Sequence, residues 1–252
     1  MTTPRLTRRL AASMLALAAL AAVAPATDAR SWGMTQGSGT FKTETRAPGH
    51  FTGLSMGLPG SLELRTGASE SVTIETDDNL MPLIETVVEN GVLKIRTTRR
   101  NAGIEPRRLK IVVQTKGIDQ IALGGSGSID ADALRGSKAM IDLGGSGSIT
   151  LRGVDSDALT VVLGGSGDLK VAGGATKKLS LSIAGSGNVD LGKLQSADAS
   201  VNIAGSGEAT ISVRDNLNVS IAGSGDVNYY GDPRVSKTSI GSGTAKRLGA
   251  AR

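Results

Sequence analysis

The segment LSLSIAGSGNVDL, residues 179–191, contains the pattern that decides the fold of this 252-residue chain. Apolar and polar residues alternate before its Gly-Ser-Gly triplet and again after it, which is typical of two β-strands that each bury one face. Only small residues stand between the two alternating stretches, and glycine tolerates the positive φ angles that a sharp corner requires. The segment therefore predicts a strand, a corner and a second strand.

This unit recurs at nearly constant spacing. In the second half of the chain, Gly-Ser-Gly triplets begin at residues 125, 145, 165, 185, 205, 223 and 241, which gives spacings of 20 residues and then of 18. Units of equal length can stack at the strand spacing of about 4.8 Å and cover one another's aliphatic faces, with right-handed coiling as the favoured hand. A β-sandwich of hairpins is the competing architecture, but it does not need corners at one constant spacing. The predicted fold class is therefore all-β, a single-chain parallel right-handed β-helix (solenoid) with coils of about 20 residues.

The composition fits a narrow solenoid interior. Glycine accounts for 35 residues, whereas Trp, Tyr and Phe are present only once, twice and twice. Ile, Leu, Val and Ala must therefore fill the core, and glycines must make the bends. The predicted structural corners are the first and last glycines of the first six of these triplets, namely Gly125, Gly127, Gly145, Gly147, Gly165, Gly167, Gly185, Gly187, Gly205, Gly207, Gly223 and Gly225.

The N-terminus has the features of an export signal. Arg5, Arg8 and Arg9 precede an apolar run at 10–23, and small residues follow it, which is typical of a signal peptide. As a helix this run spans about 21 Å, less than the roughly 30 Å of a bilayer core. We therefore predict a signal peptide over residues 1–29, no permanent transmembrane anchor, and a location in the periplasm or at the cell surface in association with the outer membrane.

The rest of the chain is predicted to be one domain, residues 30–248, followed by a tail at 249–252. Residues 118–248 contain the repeat coils. Residues 30–117 alternate less regularly, as in SLELR at 61–65 and SVTIE at 71–75, with a short helix or bend expected around Pro82. These residues are predicted to form irregular N-terminal coils that wind continuously into the repeat.

The residue inventory excludes several classes of function. Cysteine is absent and His50 is the only histidine, so neither a thiolate site nor a multi-histidine zinc site can form within one chain. The calcium-binding β-roll repeat places an aspartate where this chain has an apolar residue such as Ile129. Without the three arginines of the predicted signal, the net charge falls from +5 to about +2, which is too small for a nucleic-acid surface. No cofactor, metal or nucleic-acid partner is predicted, and His50 is interpreted as a solvated loop residue.

Segments outside the triplets carry a family resemblance. ETDDNL at 75–80, ENGVLKIR at 89–96 and YGDP at 230–233 accompany the Gly-Ser-Gly frame. Together they resemble the bacterial "putative auto-transporter adhesin, head GIN" domain family from about residue 37 to residue 248. The resemblance implies an exported β-helical domain without established catalysis, and it implies no particular binding residues.

One polar position is predicted to form a column along the stacked coils. It is the residue directly after each triplet, and Asp168, Asn188, Glu208 and Asp226 are its candidate binding residues. Acidic neighbours one coil apart can in principle carry acid–base chemistry on a polysaccharide or hold a cation, whereas a solvated column without any site is the alternative. Further outward polar positions on the strands are Ser180, Ser182, Ser200, Asn202, Asn218 and Ser220.

These observations favour a non-catalytic, exported envelope protein. Its predicted role is that of an adhesin-like interaction module that presents a repetitive polar surface to a glycan or to an envelope protein. Two alternatives stay open: a polysaccharide-acting β-helix enzyme, lyase or hydrolase, that uses the acidic side chains, and a structural spacer of the envelope. The constant coil length speaks against the enzyme, because it leaves no room for long loops that would wall a concave cleft.

Overall fold

A computed structural model describes residues 33–99 and 103–251, so the predicted signal peptide lies outside the described residues. The described chain consists almost entirely of β-strands, with a 3-10 turn at Met81–Leu83, where the sequence predicts a short helix or bend. The strands are β1 Met34–Gln36, β2 Phe41–Arg46, β3 Gly53–Met56, β4 Ser61–Thr66, β5 Ser71–Asp77, β6 Ile84–Glu89, β7 Val92–Thr97, β8 Gly103–Glu105, β9 Leu109–Thr115, β10 Gln120–Gly125, β11 Ser128–Gly145, β12 Ser148–Gly165, β13 Asp168–Val171, β14 Gly174–Gly185, β15 Asn188–Gly205, β16 Glu208–Gly223, β17 Asp226–Tyr230, β18 Arg234–Ile240 and β19 Thr244–Gly249.

The repeat coils stack in parallel, one directly on the next. From β10 to β16, the long strands of neighbouring coils pair in parallel, and the first glycine of each triplet pairs with its counterpart from Gly125 through to Gly223. Adjacent triplets therefore lie one above another. The parallel β-solenoid that the spacing predicts is confirmed, with about six coils.

Aliphatic columns fill the interior of the solenoid. Ile141, Val161, Leu181 and Val201 occupy equivalent positions in consecutive coils, and each is at most 1% exposed. Their neighbours along the strands point outward, as a pleated sheet with one buried face requires. At about 25 cal/mol per Å² of apolar surface removed from water, these columns are the main driving force for stacking.

Backbone hydrogen bonds continue around the glycine corners. The Ser166 N–H donates to the Gly145 carbonyl at 2.9 Å, and the Asp168 N–H donates to the Gly147 carbonyl at 3.0 Å. The carbonyls of one coil therefore lie directly against the corner of the next. A Cβ atom on Gly167 would lie 2.6 Å from the Gly147 oxygen, so a side chain has no room at this corner.

The change from 20-residue to 18-residue coils takes place at the bend opposite the triplets. Leu191 pairs with Ile211 whereas Gln195 pairs with Ser212, so residues 192–194 have no counterpart in the following coil. A second, smaller shift of the strand register follows between Ser196 and Asp198. Because both shifts lie outside the triplets, the corner glycines and the core columns on either side of them stay in register.

The N-terminal coils belong to the same sheet, but they do not follow chain order. β3 and β4 pair in parallel with β10 and β11, and on their other edges with β7 and β9. The coil formed by β3 and β4 thus lies between the first repeat coil and the strands β7 and β9. These two strands follow β3 and β4 in the sequence but precede the repeat. The described part of residues 30–117 thus belongs to the same sheet as the repeat coils, but its coil order departs from the chain order. The sequence does not record this order, because alternation along a strand specifies its buried face and not its neighbour.

Antiparallel strands cover this end of the solenoid. β5 pairs antiparallel with β2 and with β9, and β6 pairs antiparallel with β7. β1 and β8 form a separate two-stranded parallel sheet. An open parallel edge would present unpaired backbone N–H and C=O groups to other chains. Here β5 pairs along the outer edge of β9, and β6 pairs along the outer edge of β7, so both edges are covered.

A buried carboxylate ties the covering segments together. Asp77, at the end of β5, is fully buried. It accepts hydrogen bonds from the backbone N–H of Gly39 at 2.7 Å and from that of Arg107 at 2.9 Å. The loop before β2 and the loop before β9 are therefore both held by one side chain of β5.

The last coil closes the other end with polar residues. In β18, Lys237 stands over Val219 and Ser239 stands over Ile221, in register with the aliphatic columns. The side chains of Lys237 and Ser239 both donate to the Gly243 carbonyl, at 3.0 and 3.3 Å. A charged side chain on the core face disfavours the addition of a further strand to this edge.

Candidate functional site

The polar position after each triplet forms a column, as the spacing predicts. Asp168, Asn188, Glu208 and Asp226 are register partners in consecutive coils, and all four are exposed. The Asn188 amide donates to Asp168 at 3.0 Å, and the amide of Asn228, in the neighbouring outward position, donates to Glu208 at 2.7 Å. The structure thus brings the four predicted residues together, and the Asp168 and Glu208 carboxylates are engaged by neighbouring amide side chains rather than by each other.

Asp226 is held by the last coil. Its Oδ1 accepts hydrogen bonds from the Thr244 hydroxyl at 2.6 Å and from the Thr244 backbone N–H at 2.9 Å. These two hydrogen bonds, that of the hydroxyl more than that of the backbone N–H, hold the pKa of the Asp226 carboxyl below its ordinary value. Desolvation opposes them, and the positive charge of Lys237 lowers the pKa slightly further. Asp226 is therefore a carboxylate at neutral pH and has no proton to donate there.

A second polar surface lies on the strand that precedes each corner. The outward residues there alternate with the core columns and stack at a strand spacing of about 4.8 Å. One row consists of Ser180, Ser200 and Asn218, and the next row consists of Ser182, Asn202 and Ser220. These side chains are exposed or half-buried, so their hydroxyl and amide groups are available to a partner.

A third polar surface lies at the bend opposite the triplets, and the sequence reasoning missed it. It is a groove of about 660 Å³, here called the bend groove, that crosses successive coils and is bounded at one end by Ala251. Its other lining residues are 135–137, 155–157, 175–177, 195–197 and 212–214, which read RGS, DSD, ATK, QSA and SVR. These tripeptides share no motif. Their recurrence midway between successive triplets was the only available signal.

The comparison with known families follows from this geometry. The sequence profile of a family described as "Putative auto-transporter adhesin, head GIN domain" matches residues 50–233. The chain belongs to this family. A search of curated proteins found no significant match to this head GIN domain.

Solved structures share the solenoid of this head GIN domain. A "putative adhesin" from Bacteroides fragilis NCTC 9343 superimposes with a TM-score of 0.78 at 22% identity, over 84% of this chain and 99% of the other. A "putative lipid binding protein" from Parabacteroides distasonis ATCC 8503 superimposes with a TM-score of 0.69 at 25% identity, over 86% and 100%. A "putative adhesin" from Parabacteroides merdae ATCC 43184 reaches 0.59 at 20% identity, over 85% and 99%.

Two further features of this head GIN domain concern metal-ligating side chains and membrane-spanning helices. Within residues 33–99 and 103–251, no group of three or more His, Cys, Asp or Glu side chains is placed to hold a metal ion. The side chain of His50 is 72% exposed and its Nδ1 lies 2.7 Å from Glu70, which agrees with a solvated loop histidine. In the same part of the chain, no helix is long and apolar enough to cross a bilayer.

Replacing Asn188 by aspartate tests the electrostatics of the column. The change puts a carboxylate between Asp168 and Glu208 and removes an amide donor, so we expect the free energy of unfolding to fall by about 0.5 to 1 kcal/mol at low salt. The loss should shrink at high ionic strength because exposed charges are screened. Urea unfolding at two salt concentrations measures both effects, with Asn188→Ser as the control because Ser148 occupies the same column. A loss in Asn188→Asp that salt does not change would contradict the electrostatic explanation.

Proposed function

We propose that this protein is an exported envelope protein whose solenoid serves as a non-catalytic, adhesin-like interaction module for a glycan or an envelope protein. The observation that carries the proposal is the stacking of outward polar positions into continuous rows along the shaft. Each coil offers similar hydroxyl, amide and carboxylate groups, so many weak contacts with a periodic partner add to one another. The adhesin description of the family supports the same role.

Export is part of this proposal. The basic start and short apolar run within residues 1–29 support it, as does the family description. We expect the mature chain to begin near residue 30 and to be recovered from the periplasm or with the outer membrane. Fractionation of the native host with N-terminal sequencing measures this, and recovery of the uncleaved chain from the cytosol would contradict it.

Catalysis on a polysaccharide gains no support from the column. A general acid must hold its proton at the working pH, which requires a raised pKa, whereas the pKa of Asp226 is lowered. The Asp168 and Glu208 carboxylates accept hydrogen bonds from amide side chains. Reducing-sugar release from a polysaccharide panel measures turnover, and turnover that is lost in Asp168→Asn or Asp226→Asn would favour the enzyme instead.

A second candidate function is the binding of a lipid at a cleft near the N-terminal strands. This cleft of about 520 Å³ is lined by apolar residues that include Leu58, Leu109 and Met34, together with Arg107 and Arg108. One structural neighbour is named a "putative lipid binding protein". Displacement of a fluorescent fatty acid measures this binding, and equal binding by the wild type and Met34→Asp would overturn the assignment to this cleft.

The adhesin-like function is tested by a binding measurement on the mature chain. The immobilised protein is exposed to a glycan array and, in parallel, is crosslinked in an envelope fraction of its native host. We expect saturable binding to at least one glycan or envelope protein above a background set by denatured protein. A chain that binds no glycan and no envelope protein in either format would overturn the proposal.

A further inference from the structure

We infer that the bend groove holds a linear neutral glycan that lies parallel to the solenoid axis. The inference rests on the proposed function and assigns to it a site and a ligand class. The groove has a volume of about 660 Å³, whereas the depression on the outward row, lined by Ser180, Ser200 and Asn218, has about 270 Å³. A larger concave site removes more of a ligand from water. Three features of the groove select the ligand: the hydroxyls of its floor, the charge balance of its walls and its length.

Hydroxyl groups form the floor of the groove in its three central coils. Ser156, Thr176 and Ser196 are register partners at its centre. The Ser156 hydroxyl donates to the Thr176 hydroxyl, and the Thr176 hydroxyl donates to the Lys178 carbonyl, both at 3.2 Å. The Ser196 hydroxyl donates to the Ser212 carbonyl at 2.7 Å. These protons are already used inside the protein, and Thr176 and Ser196 are only 5% and 3% exposed, whereas Ser156 is half-buried. The floor therefore offers a ligand an acceptor oxygen, chiefly at Ser156, and the matching ligand group is a donor such as a sugar hydroxyl.

The walls of the groove supply donors and acceptors with almost balanced charge. Lys177 and Asp157 form an ion pair at 2.7 Å between neighbouring coils, and Arg214 is paired with the residue that follows it. Arg135 and Asp155 are exposed register partners near the other end. An acidic polymer would find few unpaired cations along such a wall. A neutral glycan, whose hydroxyls both donate and accept, can use the cations and the carboxylates together.

The lining is better suited to a glycan than to a protein partner. Protein interfaces draw most of their binding energy from a few buried anchors, chiefly Trp, Tyr and Arg in desolvated pockets. The described lining of the groove contains no aromatic residue and no Leu, Ile or Met. Ala175 and Ala197 instead leave its middle open, so a slender chain of polar units can lie across the coils.

The length of the groove predicts how affinity depends on the number of sugars in the ligand. The register from Arg135 to Ser212 covers four coil steps, which is about 19 Å at a strand spacing of about 4.8 Å. Each coil adds a similar set of polar groups to this length. Affinity for a linear oligosaccharide should therefore rise with its number of sugars and level off once the groove is filled.

The experiment is isothermal titration of the mature chain with linear neutral gluco-oligosaccharides of increasing length and with a matched uronate series. Ala175→Trp fills the exposed middle of the groove, and Lys170→Trp places the same ring at an exposed position of the same coil that lies outside the groove, the column and the outward rows named above. We expect length-dependent binding of a neutral series, weakened about tenfold or more in Ala175→Trp and unchanged in Lys170→Trp. Circular dichroism verifies that both variants remain folded, and Ala175→Phe replaces Ala175→Trp if that variant does not fold.

The other outcomes separate this inference from the proposed function. Glycan binding that survives Ala175→Trp, or that falls equally in Lys170→Trp, would overturn the groove as the site while the adhesin-like function stands. Preference for the uronate series would overturn the neutral ligand. An envelope protein captured without any glycan binding would overturn the inference alone, and the absence of every partner would overturn both.

Discussion

Gly165→Ala is expected to lower the free energy of unfolding by about 3 kcal/mol or more, through backbone strain and a steric collision. Gly165 has a φ angle of +120°, and a Cβ atom there would lie 2.4 Å from the Gly145 oxygen. That oxygen accepts the hydrogen bond of the Ser166 N–H, so it cannot move away without breaking the corner ladder. Urea unfolding followed by circular dichroism measures the loss.

The adjacent glycine provides a matched control for this prediction. A Cβ atom on Gly164 would meet nothing within 4 Å, and Ala184 and Ala204 occupy the same row in the next two coils. Gly164→Ala should therefore change the free energy of unfolding by less than about 1 kcal/mol, and in the stabilising direction, because alanine has fewer unfolded conformations. Similar losses in Gly164→Ala and Gly165→Ala would contradict the steric argument.

A further glycine separates strain from collision. Gly125 has a φ angle of +99°, but a Cβ atom there would meet nothing within 4 Å. Gly125→Ala therefore carries only the cost of a positive φ angle, about 1 to 2 kcal/mol. Its loss should lie between those of Gly164→Ala and Gly165→Ala. An equal loss at Gly125 and Gly165 would show that the collision contributes nothing.

Asp77→Ala is expected to cause the second large loss, a fall in Tm of roughly 5 to 10 °C in a domain of this size. The substitution leaves the backbone N–H groups of Gly39 and Arg107 without their acceptor in a buried site. Asp78→Ala is the control, because Asp78 is exposed and its carboxylate accepts a hydrogen bond from the Ser38 hydroxyl. A Tm of Asp77→Ala equal to that of Asp78→Ala would contradict the role of Asp77 as a clamp.

The same residue predicts a dependence on pH. Burial, the largest influence, raises the pKa of Asp77, but backbone N–H groups, including those of Gly39, Arg107 and Arg108, together outweigh it and hold the pKa below the ordinary 3.8. A lowered folded pKa means that the stabilisation is complete above the unfolded pKa and is lost as pH falls through the folded value. The difference in Tm between wild type and Asp77→Ala should therefore be constant above about pH 5 and shrink in more acid solution. A difference that persists unchanged at the acid limit would contradict the charge contribution.

The repeat made the solenoid and its polar column predictable because both depend on local periodicity. A constant interval between corners sets the length of a coil, and equal coils place the residues after the triplets, such as Asp168 and Asn188, in register. The N-terminal order was not predictable in the same way. β3 and β10 are separated by several strands in the chain, yet they pair directly. Such a pairing depends on which edges remain available after folding, and no local pattern records it.

The amino-acid sequence alone determined the coil, its glycine corners, its aliphatic interior and the alignment of Asp168, Asn188, Glu208 and Asp226, since each follows from alternation and interval along the chain. Three-dimensional packing alone decided the order of the N-terminal coils, the clamp at Asp77 and the bend groove. The groove is a shape between coils, made where residues with no common motif, such as Ser156, Thr176 and Ser196, are stacked by the register of their neighbours. Concavity is a property of surfaces that meet in space, and for that reason periodicity along the chain does not contain it.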